Sequence, residues 1–565
     1  MDRRAFIAKA FDKPGAADPT PTYENKELPA VARVNAGLEP YAESWEWEEA
    51  SHLLNRALFG AKRAEIEKAV NDGLSATLDL LLADLVALPE PPVYYQYTQD
   101  PNAGVGESWV THPQVVGTEN FGFFRKRSLK NWGVGQMVNQ ETSIREKMVL
   151  FWHNHFGVAA AVVGDARFLY QLNQLLREGA LGSIKELVKE VSVSSAMLVF
   201  LNGNQNREGK PNENFARELF ELFTIGKGPQ IGEGNYTNYT EEDIREAARV
   251  LTGWAPTVYG KVEGEPGSQF ITNWHDKTDK QFSAAFDNLI ISDQEGEEYK
   301  ALVDMIFSKR ETARYLSRKL YRWFVYYVID EATEQHVIEP MAQLLIENDF
   351  SVKPALRALL SSGHFFDSEN RGCMIKSPFD FHISLLRKTN VVLPDPSNTY
   401  FGYKFWHYLR NLSSTIDQDF LDTPTVAGWP AYYQKPVYYQ SWISSATLPQ
   451  RQTAIDKFMS KNGYKVGEDK VKIDSLVLIE GISDPSDPNV LVKELAELLF
   501  PLPLSQEFRD EIKDILIPGL PDFEWTEEYI LYITDPSNEG YKQAVITKLD
   551  ALLKSMLSLA EFQLS

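Results

Sequence analysis

The residues able to do chemistry in this chain gather in four short stretches. The first runs from Arg145 to Gly157 and carries His153 and His155. On a helix, Ile144, Met148, Phe151 and His155 share one apolar stripe, while Glu146, Leu150 and His153 lie along a neighbouring line. The two imidazoles then point about 200° apart, so both reach one metal ion only if the helix ends between them. Gly157 is placed for such an ending. The plainer alternative is two histidines at a helix C-terminus, where an imidazolium meets the negative end of the dipole.

The second stretch, Pro211 to Gly226, sets Phe215, Leu219 and Leu222 on a buried face and Asn214, Arg217, Glu218 and Glu221 on a polar one. A carboxylate row beside an amide and a guanidinium suits a metal or an anionic group, and equally a solvated face with an internal ion pair. Asn212 and Asn214 are candidate caps. In the third stretch, Trp274-His275-Asp276-Lys277, a histidine–aspartate pair sits in a loop, where metal ligands and acid/base dyads commonly lie. The fourth, from Asp422 through Gly428 and Trp429 to Trp442 and Arg451, reads as a tight aromatic turn that either walls a pocket or is purely structural. The expected catalytic set is therefore His155, Arg217, Glu218, His275 and Asp276. The expected ligands of a divalent metal ion are His153, His155, Glu218, His275 and Asp276. Nucleophile-elbow, H-E-x-x-H and phosphate-loop signatures are absent from the sequence. The glycines at 226–234 follow a helix and do not support dinucleotide binding.

The elements that must position these groups are mainly helical. Prolines in residues 1–43 predict an extended arm, and regular structure is expected from residue 44. Apolar spacing predicts helices over 46–59, 63–70 and 76–86, the last capped by Ser75, then a loop over 87–120. Ser143 and Glu146 suggest a capping box opening the histidine helix. Further helices are expected over 166–177, 183–199, 214–224 and 241–252, the last capped by Thr240 and Asp243. Residues 255–297 read as a long irregular insertion with short strands. Helices return over 300–307, 312–328, 333–348 and 352–361. An aromatic loop-rich segment (395–450) then precedes a helical C-terminal unit (451–565), clearest over 490–500, 505–516 and 540–559. The fold class is mainly α, a multi-helical core (44–394) followed by these two units.

Composition narrows the partners. With 57 Lys and Arg against 79 Asp and Glu, the net charge is −22. Nucleic acid is bound through basic clusters, so no nucleic-acid role is expected. The short group Arg125, Lys126, Arg127 and Lys130 reads as a solvated face. No apolar run approaches the ~20 residues of a membrane span. The single cysteine, Cys373, excludes an internal disulfide. The Arg3-Arg4 start suggests export, but Lys9, Asp12, Lys13 and Pro14 interrupt any apolar stretch, which favours a cytoplasmic location.

Assembled in order, the motifs resemble a bacterial family catalogued as domain of unknown function 1800. The matching segments are His52-Leu-Leu-Asn-Arg-Ala-Leu-Phe-Gly60, the stretch from Arg145, Ala196 to Leu201, and the stretch from Pro211. Tyr239 to Trp254, His275-Asp276 with Lys280 and Phe282, Lys376-Ser-Pro378, the turn from Pro424 and Leu559 to Phe562 complete them. The resemblance implies an architecture but no reaction. Its genes often neighbour those of a sulfatase-like protein, which suggests a functional link. Phe223 stands where many members have histidine, Asn202 where many have aspartate, and no glycine follows Phe282. A family metal centre using that histidine and aspartate would have lost two ligands here.

Two functions follow. One is a metal-dependent hydrolase or redox enzyme whose His, Glu, Arg and Asp side chains converge on one pocket. The other is a non-catalytic binding or assembly protein that uses Trp429, Trp442 and their aromatic neighbours to meet a glycan or protein partner.

Overall fold

The computed structural model describes residues 36–97, 100–114, 121–233, 235–258, 264–395 and 397–565. Most of the expected N-terminal arm, with the Arg-Arg start, lies outside them. Among the described residues 57% are helical, and the named strands form two-stranded sheets only. The histidine stretch forms helix α3 (Arg145–His155), preceded by α1 (Trp47–Ala57) and α2 (Phe121–Val138) and followed by α4 (Ala166–Glu178). The second stretch forms α5 (Glu213–Glu218), which continues as a π turn over Leu219–Phe223. Next come α6 (Glu241–Val250), α7 (Glu298–Phe307) and α8 (Arg310–Phe324), then α9 (Pro378–Lys388) and α10 (Thr399–Ser414). The last long helix is α11 (Glu539–Ser558), against which the helices between residues 447 and 534 pack.

The strands are antiparallel pairs: β1 (Gln230–Gly232) with β2 (Asn235–Tyr236), β3 (Trp254–Pro256) with β4 (Ser268–Phe270), β5 (Lys280–Gln281) with β6 (Ile290–Ile291), and β7 (Tyr464–Val466) with β8 (Asp469–Val471). The β5–β6 pair lies in the segment 255–297 and the β3–β4 pair opens it from Trp254, in keeping with the short strands expected there.

Several local expectations are replaced by other physics. Ser143 and Glu146 make no capping box: α3 starts after Ile144, and Glu146 is drawn into an ion pair with Arg177 at 2.8 Å. The helix after Gly73 starts at Leu74 and not behind Ser75. The helix expected over 183–199 is two, Ile184–Ser192 and Ser195–Phe200. Helix α2 was not expected; its mixed composition hides its periodicity because most of its residues are buried. The basic group on it is no solvated face. Arg125 is buried against Asp100 at 2.8 Å, and Lys130 is buried against Asp419 and Asp422. The 395–450 segment opens on the 16 residues of α10, which packs on α2. Thr240 and Asp243 do form the expected capping box at the start of α6.

The Pro424–Trp429 turn is clamped onto α3. Asn154 Oδ1 accepts a hydrogen bond from Trp429 N at 2.8 Å, and Gly428 takes φ +90° directly beneath it. A Cβ there would lie 2.3 Å from Asn154 Oδ1 and 2.4 Å from its carbonyl oxygen. Gly428→Ala therefore combines left-handed strain with a clash against backbone and is expected to cost more than about 3 kcal/mol. Urea denaturation measures this, and a loss under 1 kcal/mol would show that the turn yields freely.

Candidate functional site

The insertion builds its site around His275. A short 3-10 turn, Thr272–Trp274, ends at this residue, and the β5–β6 pairing brings Lys280 and Asp293 back towards it. Glu298 is the first residue of α7 and is wholly buried. The ring is held from both sides. His275 Nδ1 donates to the Thr252 carbonyl at 3.0 Å, and Nε2 lies 2.8 Å from Glu298 Oε1. Thr252 also uses its hydroxyl to receive the backbone N–H of Asp276 at 2.9 Å, so one threonine positions two consecutive residues. Lys280 Nζ donates to Glu298 Oε2 at 2.6 Å, and the side chains of His275, Lys280 and Glu298 are all sealed from solvent. Asp293 stands at the rim, 3.9 Å from Nε2, with its side chain 36% exposed.

A carbonyl only accepts hydrogen bonds, so Nδ1 carries a proton. Burial opposes the charged ring, but the hydrogen bond to Glu298, the Thr252 carbonyl and the Glu298 charge outweigh it and raise the imidazole above its ordinary value. The imidazole and the Lys280 ammonium thus face two carboxylates, Glu298 and Asp293. One ligand atom each from His275, Asp293 and Glu298 falls within 4.8 Å of the others.

The remaining expected residues are placed elsewhere or turned to other partners. His153 is fully buried on α3 facing Phe420 and Trp429, and its Nε2 accepts from Leu421 N at 3.0 Å. His155 is buried among Phe151, Trp152, Phe156 and Phe223, and its Nε2 donates to the Phe223 carbonyl at 2.9 Å. Helix α3 does not end between the two, so they project into different packing. Burial holds both rings neutral, His153 with its value lowered to about 3 and His155 well below the ordinary range. Arg217 pairs with Glu241 at 2.6 Å, with Glu213 and with Glu221. Glu218 is buried on the same helix, and its charge, with that of Glu221, acts on Tyr315. Asp276 turns away from His275 towards Arg249 at 2.8 Å, and Thr278 and Arg249 hold its carboxyl well below the usual range against the effect of burial. Trp429 and Trp442 are core residues, 0% and 3% exposed.

The residues that complete the His275 cluster are Asp293, Glu298 and Lys280. Glu298 is written into an acidic run, Glu295 to Glu298, that reads as an ordinary helix start. Only Lys280, following the His-Asp pair, gave a signal. The chain belongs to the DUF1800 family, proteins of unknown function, which it matches over residues 52–564. No curated protein and no solved structure matches it. Among the described residues no helix is long and apolar enough to cross a membrane.

The neutral histidines fix a pH dependence. Their folded values lie below the unfolded value near 6.5, so protons bind the unfolded chain more tightly. Stability is retained above pH 6.5 and falls below it, by up to about 1.4 kcal/mol per pH unit for each ring, until the folded value is reached. Unfolding free energies at pH 7 and 5 are expected to show this slope. His153→Asn, which keeps an acceptor for Leu421 N, is expected to flatten it by about one proton; an unchanged slope would contradict a neutral His153.

Proposed function

We propose that the protein is a divalent-cation-dependent hydrolase whose metal is held by His275, Asp293 and Glu298. The observation that supports this most is the convergence of three ligand atoms within 4.8 Å, with the imidazole already oriented by a second partner. Metal-bound histidines typically donate their other ring N–H to a carbonyl or carboxylate, the role the Thr252 carbonyl plays here. One nitrogen and two oxygen donors suit Zn²⁺ or Mn²⁺. A metal with three protein ligands keeps a position for water, whose acidity it raises for attack on an ester or amide. Thr252 fixes the tautomer, Lys280 holds the second oxygen of Glu298, and the exposed Asp293 leaves the site a way to solvent. This ligand set keeps His275 from the sequence-based list and replaces His153, His155, Glu218 and Asp276.

The proton on Nε2 competes with the metal. Because the imidazole value is raised, affinity is expected to fall by about tenfold per pH unit once the pH drops below it. Calorimetric titration of the whole chain with Zn²⁺ or Mn²⁺ at pH 6 and 8 measures this. His275→Ala is expected to weaken binding by at least about 100-fold, and ester hydrolysis is expected to stop with chelator and return with metal. Unchanged binding in His275→Ala would remove the ligand assignment. Tight binding without turnover of phosphate, sulfate or carboxylate esters would remove the hydrolase.

A further inference from the structure

A second polar site lies away from the insertion, under the aromatic turn, where several of the family-matching segments meet. Helix α1 contributes Arg56, α3 Lys147, α8 Trp323, the start of α9 Ser377 and Asp380, and the turn Tyr432, around a cavity of about 20 Å³. A polar cavity of this size holds one particle of about the size of a water molecule, and phosphate or larger ligands are excluded. Its lining offers donors in excess. Arg56 is 4% exposed and spends its terminal nitrogens on the carbonyls of Val325 at 3.2 Å and Asn370 at 2.8 Å, which leaves Nε with no partner. Trp323 is 5% exposed, stacks against Tyr432 and likewise leaves its indole N–H with no partner. Both groups are donors only. The nearby carboxylate is already engaged: Asp380 Oδ1 takes Lys147, and Oδ2 takes the Ser377 hydroxyl at 2.9 Å. Ser565 also lines the cavity, and its backbone is tied to that of Met374.

The charge around this point is one-sided. Arg56 and Lys147 on the lining and Arg451 nearby are all buried, and Asp380 is the carboxylate acting on Lys147 and Arg451. Burial first, then Lys388, holds Lys376 well below its ordinary value, with Asp380 opposing and Arg451 and Lys147 adding to it. Buried cations are expected to be paired, and water brings no charge to pair them.

We propose that this cavity binds a small monatomic anion of halide size, held between Arg56 Nε and Trp323 Nε1. The anion supplies the acceptor that both donors lack and offsets the excess positive charge around Asp380. Indole and guanidinium N–H groups need only a spherical acceptor, so no orienting group is required.

The test uses the full chain. At constant ionic strength, exchanging gluconate for chloride or bromide is expected to raise Tm saturably, and bromide-soaked crystals are expected to show an anomalous peak between the two nitrogens. Trp323→Phe keeps the aromatic packing and removes one donor; it is expected to weaken halide binding by about tenfold with the helical circular dichroism unchanged. Three results would each overturn the proposal: water without anomalous signal at the site, a Tm indifferent to the halide, or a folded Trp323→Phe with unaltered halide affinity.

Discussion

The carbonyl ends of helices need donors, and in this protein the donors are buried lysines and arginines that arrive from distant parts of the chain. Arg387 bonds the carbonyls of Gly60, just past α1, and of Val138 and Gln140 at the end of α2, while pairing with Glu65. Arg56 does the same for the end of α8 through Phe324 and Val325. Lys388 closes the helix Pro488–Leu499 through Leu498 and Leu499. Each contact joins a side-chain N–H donor to the negative end of a helix where water is excluded, so the attraction is weakly screened. Losing one of these cations strands several carbonyls at once, a larger loss than any single apolar contact.

The same balance decides the state of each histidine. His275 meets a carbonyl on one ring nitrogen and a carboxylate on the other, so its proton is favoured in spite of burial. His153 meets a backbone N–H, which only a bare nitrogen accepts, and burial then has no opponent of similar size. Two histidines equally shielded from water are thus driven in opposite directions by the partners that their ring nitrogens meet. The ring of His275 thus faces carboxylates, whereas the two α3 histidines are held by backbone groups within packing.

The helical character was legible because apolar residues recur at helical spacing wherever one face meets water. It failed for α2, where burial on nearly every side erases the contrast between faces. The breaks around Gly60 and Gly73 were readable because both residues take positive φ. The division at residues 193–194 was not, since no glycine or proline marks it. Of the candidate site, His275 was legible because a histidine–aspartate pair in a loop has the residue types of a metal ligand or an acid/base dyad, and loops commonly carry such groups. Its partner Glu298 could not stand out, because an acid at a helix start has an ordinary explanation and the reach from 275 to 298 depends on how the insertion folds back. The Arg125–Lys130 group misled for a related reason: Asp100, Asp419 and Asp422 approach only in three dimensions.

Among the described residues, buried lysines and arginines outnumber buried carboxylates by thirteen to eight. The molecule has drawn cations inward, and the exterior that solvent meets is more acidic than a net charge of −22 conveys. Such a skin repels anions at long range and gathers counter-ions, most strongly in dilute salt. Divalent cations are enriched beside it and anionic visitors are slowed, so encounter rates of the two kinds of ligand should respond to ionic strength in opposite senses.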